Sequence, residues 1–170
     1  MSTQSFLADI VRYFIGWWWL AAAAGKLRAW SRFREDLGSS FGIAARPAAV
    51  LAPALVLAEL LAAALVLGAG RGAGMFASLM LMCCFTAVLG YRFFTRAIVR
   101  CSCFGESLRP LSGYDVLRNL LVVLAIAAWL AFSPGPPLPI EESLVAAGLG
   151  AWLCVASIHF HDIVVLARTR

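Results

Sequence analysis

The sequence predicts an all-α fold, a polytopic bundle of transmembrane helices, on three observations. Hydrophobic residues make up 62% of the 170 residues and charged residues only 14%, outside the balance of a soluble domain. The mean hydropathy of +0.87 points the same way. The apolar residues gather into five runs, Phe6–Ala24, Pro47–Leu67, Gly74–Phe94, Tyr114–Phe132 and Leu144–Leu166. Each is close to the ~20 residues that a helix needs to cross a bilayer. Five spans leave no room for a soluble domain, so residues 1–170 are expected to form a single integral membrane domain.

The net charge of +5 is distributed along these spans in a way that sets topology. With five spans, the connecting segments alternate sides. Twelve of the fourteen cations, Lys26, Arg28, Arg32, Arg34, Arg46, Arg92, Arg96, Arg100, Arg109, Arg118, Arg168 and Arg170, then fall on one side. Only Arg12 and Arg71 fall on the other. The positive-inside bias makes the rich side cytoplasmic. A multi-pass plasma-membrane protein with its N-terminus outside and its C-terminus inside is the expectation. The basic charge then serves topology and anionic lipid heads, and nucleic acid is not an expected partner.

In the first span, Asp9 and Arg12 stand at i, i+3, a spacing that lets them pair near the outer interface. Met1–Leu7 has no charge and Asp9 precedes any cation, so the segment is expected to stay as a helix rather than serve as a cleaved secretory signal. Trp17, Trp18 and Trp19 cover nearly every helical azimuth. They are expected at the interface or facing lipid rather than around one cofactor. Residues 27–41 repeat Leu27, Trp30, Phe33, Leu37 and Phe41 every three or four positions among charged residues. That pattern predicts a basic amphipathic helix in the inner interface.

The second span carries Glu59 near mid-bilayer, where an ionisable group is expensive and by default a functional candidate. The alternative is a buried hydrogen bond to Ser78, Thr86 or Ser157. No Lys or Arg lies at matching depth, so an ion pair is not expected. Cys83 and Cys84 in the third span and Cys154 in the fifth read as small hydrophobes. In the fourth span, Ser112-Gly113-Tyr114-Asp115 fits a capping box, with Leu111 and Val116 as its staple. Asp115 can pair with Arg118, and Asn119 lies one turn on. The fifth span follows the cation-free turn Ser133–Pro139 and opens on Glu141 and Glu142, favourable to the helix dipole. Its His159 and His161 are i, i+2, so they project apart and cannot chelate one ion.

The longest polar gap holds Arg100-Cys101-Ser102-Cys103-Phe104-Gly105. Two thiols one residue apart can form a strained, readily reduced disulfide. Arg96, Arg100 and Arg109 would favour the thiolate, Phe104 could anchor the loop and Gly105 permits a tight turn. At the cytoplasmic face, a permanent structural disulfide is disfavoured. A structural zinc site shared with Cys83 or Cys84 is disfavoured by about 18 Å of intervening helix, so no metal is expected. Hydrolase and transferase signatures are absent.

Gly25-Lys26-Leu27, Glu59, the Cys101-Ser102-Cys103-Phe104-Gly105 loop and Arg118-Asn119 together resemble the methylamine-utilisation MauE family, within the DoxX-like group of small membrane proteins. The similarity runs from about Leu20 to Leu130. It implies a four-helix DoxX-like core with an added C-terminal span, and a role in redox maturation of an exported, disulfide-containing protein. Carried over by motif, the residues at stake are Cys101, Cys103, Glu59, Arg118 and Asn119. In the leading reading Cys101 and Cys103 are the redox pair, Arg100 and Arg109 tune the thiolate, and Asp115, Arg118 and Asn119 shape the mouth. An exported client needs thiol chemistry outside, whereas the arginine count puts the loop inside. Three resolutions stay open: electrons cross through a quinone or a partner, the pair exchanges with a thioredoxin-like donor, or the loop faces the other way. A non-catalytic assembly or export factor is the alternative function, and a small-solute or quinone carrier using Glu59 is a third.

Overall fold

The computed structural model describes residues 3–39, 42–68, 70–95, 113–132 and 138–159. Among them are six helices: α1 (Thr3–Arg28), α2 (Trp30–Ser39), α3 (Ala45–Leu67), α4 (Arg71–Phe94), α5 (Gly113–Ala131) and α6 (Ile140–Ile158). The described residues contain no strand, so the expected all-α polytopic bundle is what forms.

α1 is the central helix. α6 and α3 pack along it, α5 and α4 also touch it, and α4 lies between α3 and α5. The main core is built from Ile15, Trp18, Trp19, Ala63, Val66, Met75, Met82, Val122, Ile126 and Trp129. The outward surface is apolar as well, with Leu57, Phe76, Leu124 and Trp152 all more than half exposed. A bundle that is apolar on both its inner and its outer surfaces is suited to lipid, not water.

Helices α3, α4, α5 and α6 are each long and apolar enough to cross a membrane. α1, with 26 residues, is about 39 Å long, but Asp9, Arg12 and Lys26 dilute its apolar character. All three are buried by the surrounding helices. Enclosure by protein is where a charge at membrane depth is tolerated.

Two glycines allow the tightest helix crossings. A Cβ at Gly74 would lie 2.5 Å from the Val66 nitrogen, and one at Gly150 would lie 2.7 Å from the Phe14 nitrogen. Small residues let membrane helices approach backbone to backbone. The buried stripe Ala146, Gly150 and Cys154 gives α6 its contact face.

Several sequence expectations change in detail. Trp18 and Trp19 are core residues rather than lipid-facing ones, and only Trp17 is exposed. The indole of Trp19 donates to Ser78 Oγ at 2.8 Å, which gives its polar edge a partner inside the bundle. The amphipathic helix is shorter than 27–41 and starts at Trp30. Its Phe33 and Leu37 are buried with Ala48, Ala52 and Val56 of α3, so its apolar stripe is covered by protein instead of lipid. Cys83 and Cys84 face outward and Cys154 is buried. Helix α6 begins at Ile140, ahead of the apolar run from Leu144, with Glu141 and Glu142 in its first turn as expected. The capping residue Ser112, and His161 of the fifth span, lie outside the described residues.

Contacts between ends fix the directions of the helices. Arg12 reaches the last residues of α3, Trp129 of α5 donates to the Ala8 carbonyl, and Trp17 donates to the Ala147 carbonyl of α6. The end of α1, all of α2, the start of α3, the end of α4 and the start of α5 therefore share one end of the bundle. That end holds Lys26, Arg28, Arg32, Arg34, Arg46, Arg92 and Arg118, while Arg12 and Arg71 are at the other.

Candidate functional site at the cation-rich end

The most deeply buried charges at this end are Lys26 and Glu59, whose Nζ and Oε1 lie 2.6 Å apart. Both side chains are almost fully enclosed, at 4% and 1% exposure. This overturns the expectation that Glu59 has no cation within reach. Side chains lean toward the N-terminus of their own helix, and α1 and α3 run in opposite directions. Lys26 therefore leans into the bilayer from the last turn of α1 while Glu59 leans back toward it. The four-carbon stem of lysine closes the remaining gap. Comparing only the depths of the two backbones hid this.

Two aromatic rings flank the ammonium. Its nitrogen is 5.6 Å from the Phe33 ring centroid on α2 and 5.9 Å from that of Phe85 on α4. Distances of this order give weak cation–π attraction. Lys26 thus joins α1 to α2, α3 and α4 at one point. Of the hydrogen-bond partners expected for Glu59, Ser78 is engaged by Trp19. Thr86 Oγ1 is buried with no hydrogen-bond partner among the described residues.

The first two turns of α5 supply the remaining polar groups. Asp115 and Asn119 are buried, and an Asp115 oxygen lies 3.9 Å from Arg118 Nη1, the i, i+3 pairing that the sequence suggested. Arg118 Nη2 donates to Asn119 Oδ1 at 3.5 Å, and its guanidinium lies 5.2 Å from the Trp18 ring centroid. Trp18 and Trp19 therefore touch the polar groups of α5 and α4 from adjacent positions on α1. Each buried acid at this end has a cation beside it, Lys26 for Glu59 and the partly buried Arg118 for Asp115, which limits the electrostatic cost of each.

The thiol loop connects α4 to α5 and so leaves and returns at this end. Cys101 and Cys103, with Arg100, Arg109, Phe104 and Gly105, lie outside the described residues. Among the described residues no group of three or more His, Cys, Asp or Glu side chains could hold a metal ion.

The opposite end carries a cluster whose main role sequence reading missed. Arg12 is buried, its Nε donates to Asp9 at 2.7 Å, and its Nη1 donates to the carbonyls of Val66 at 3.2 Å and Leu67 at 3.5 Å. The last carbonyls of a helix have no partner within it, so Arg12 caps α3 and completes its dipole. The Asp9–Arg12 spacing was visible, but the α3 terminus that the guanidinium reaches was not. Arg71 Nη1 stands 4.0 Å from the same Asp9 oxygen.

The family model described as methylamine utilisation protein MauE matches residues 4–133, from α1 through α5. α6 lies beyond the matched residues. No curated protein and no solved structure matches the chain.

Proposed function

The chain belongs to the MauE family, and from that premise we propose that it is a membrane thiol–disulfide exchange component supporting maturation of an exported, disulfide-containing protein. The setting is the one that the family description names, methylamine utilisation. The observation that carries this reading is the Cys101-Ser102-Cys103 motif in the segment that joins α4 to α5. A close thiol pair flanked by Arg100 and Arg109 suits exchange chemistry.

In the exchange, a thiolate of a dithiol substrate, either the client or a partner that relays its electrons, attacks one sulfur of the Cys101–Cys103 disulfide. A mixed disulfide forms and the other cysteine leaves as a thiolate. The substrate's second thiolate then breaks the mixed bond, so the substrate gains a disulfide and Cys101 and Cys103 become a dithiol. Reoxidation passes two electrons and two protons to a quinone or to the disulfide of a thioredoxin-like partner. The positive-inside reading puts the loop on the cytoplasmic face, in which case a partner carries electrons from the exported client across the membrane.

Replacing Cys101 and Cys103 by serine, together and singly, tests the proposal in the native host. Disulfide formation in the client is expected to fall to background in each variant while the membrane level of the protein is unchanged. A client that matures normally without either sulfur, yet still co-purifies with the protein, would make the chain a non-catalytic assembly factor instead.

A further inference from the structure

The chain has thirteen arginines and a single lysine, Lys26. Arginine serves every other cationic position, including Arg12, which among the described residues is the other fully buried cation in an ion pair. The contrast is chemical. A guanidinium stays charged at any accessible pH, whereas a buried ammonium can give up its proton. Arg12 therefore does a fixed job on the α3 carbonyls. The Lys26–Glu59 pair is of the kind that can change its protonation state, and it is the one whose carboxylate sits inside an apolar span.

We propose that Lys26 and Glu59 form a proton-exchange site within the bundle, loaded and unloaded from the cation-rich end. A proton passes along the 2.6 Å contact from Nζ to Oε1, leaving a neutral amine and a neutral acid. The amine then accepts a second proton from the solvent side, and release runs in reverse. Lys26 belongs to the last turn of α1, two residues from the exposed Arg28, which gives the amine the shorter route to water. Snorkelling outward is the usual course for a lysine at a helix end. Its inward orientation here is held by Glu59, Phe33 and Phe85. The other charged groups on the described elements at this end are Arg28 on α1, Arg32, Arg34, Glu35 and Asp36 on α2, Arg46 on α3, Arg92 on α4, and Asp115 and Arg118 on α5. This site does not depend on the cysteines and stands whether or not they cycle.

The single lysine makes the test specific. Full-length protein carrying 15N-lysine in lipid nanodiscs gives one side-chain nitrogen resonance, followed from acid to alkaline pH. Infrared difference spectra over the same range report carboxyl protonation. The site predicts a lysine resonance that moves with pH, a titrating carboxyl band that disappears in Glu59→Gln, or both. Lys26→Arg keeps the charge, and it is expected to stay folded by circular dichroism while losing the titrating band. The wild-type spectra decide the matter even where a variant does not fold. A lysine resonance fixed at the ammonium position, together with no band assignable to Glu59, would show a permanent ion pair and overturn the proposal.

Discussion

Lys26 and Glu59 show how a charge is accommodated at membrane depth, by a partner from an antiparallel helix and not by one on its own helix. Removing one member leaves the other buried and uncompensated, which costs about 3–5 kcal/mol. Lys26→Met and Glu59→Leu are each expected to lower stability by that order, and the double variant to recover most of the loss. Unfolding titrations on the four proteins of the cycle measure the coupling, and simple additivity would show that the pair is not a unit. At this scale the sequence was informative where partners are local. Asp9 with Arg12 and Asp115 with Arg118 are i, i+3 pairs and were legible from spacing. Lys26 with Glu59, Trp19 with Ser78 and Arg12 with the α3 carbonyls join residues 33, 59 and 54 or 55 positions apart. No periodicity rule reaches that far.

Among the elements, α3, α4 and α5 were legible almost to their boundaries because an apolar run of bilayer length is a strong signal. α2 was legible as an amphipathic helix, but what its apolar face would meet was not. Amphipathicity shows that one side is buried and does not reveal whether lipid or protein covers it. The Phe33 and Leu37 contacts with α3 decide for protein. α6 follows the matched family region and is held to α1 through Ala146, Gly150 and Cys154. Its docking depends on the absence of a side chain at Gly150, where a Cβ would meet the backbone of Phe14 and Tyr13. Gly150→Leu is expected to cost about 1–3 kcal/mol, as overpacking does, and to separate α6 from α1. A disulfide cross-link engineered between the two helices should form readily in the parent and poorly in Gly150→Leu. Equal cross-linking would place the crossing elsewhere.

For the whole molecule, the charge asymmetry counted along the sequence reappears as a physical axis. Helix ends bearing Lys26, Arg28, Arg34, Arg46 and Arg92 gather at one end of the bundle, while Arg12 and Arg71 mark the other. The thiol loop joins α4 to α5, whose connected ends both lie at the cation-rich end. The functional account therefore turns on the side of the membrane that this end faces and on the redox behaviour of its two sulfurs. One measurement addresses both. In sealed membrane vesicles of each orientation, a protein retaining only Cys101 and Cys103 is trapped with a membrane-impermeant thiol reagent, before and after reduction. The account predicts modification of both sulfurs from the cytoplasmic side alone, with a fraction modified only after reduction that shrinks when the oxidising partner is removed. Two thiols modified in full without reduction under every condition would contradict it.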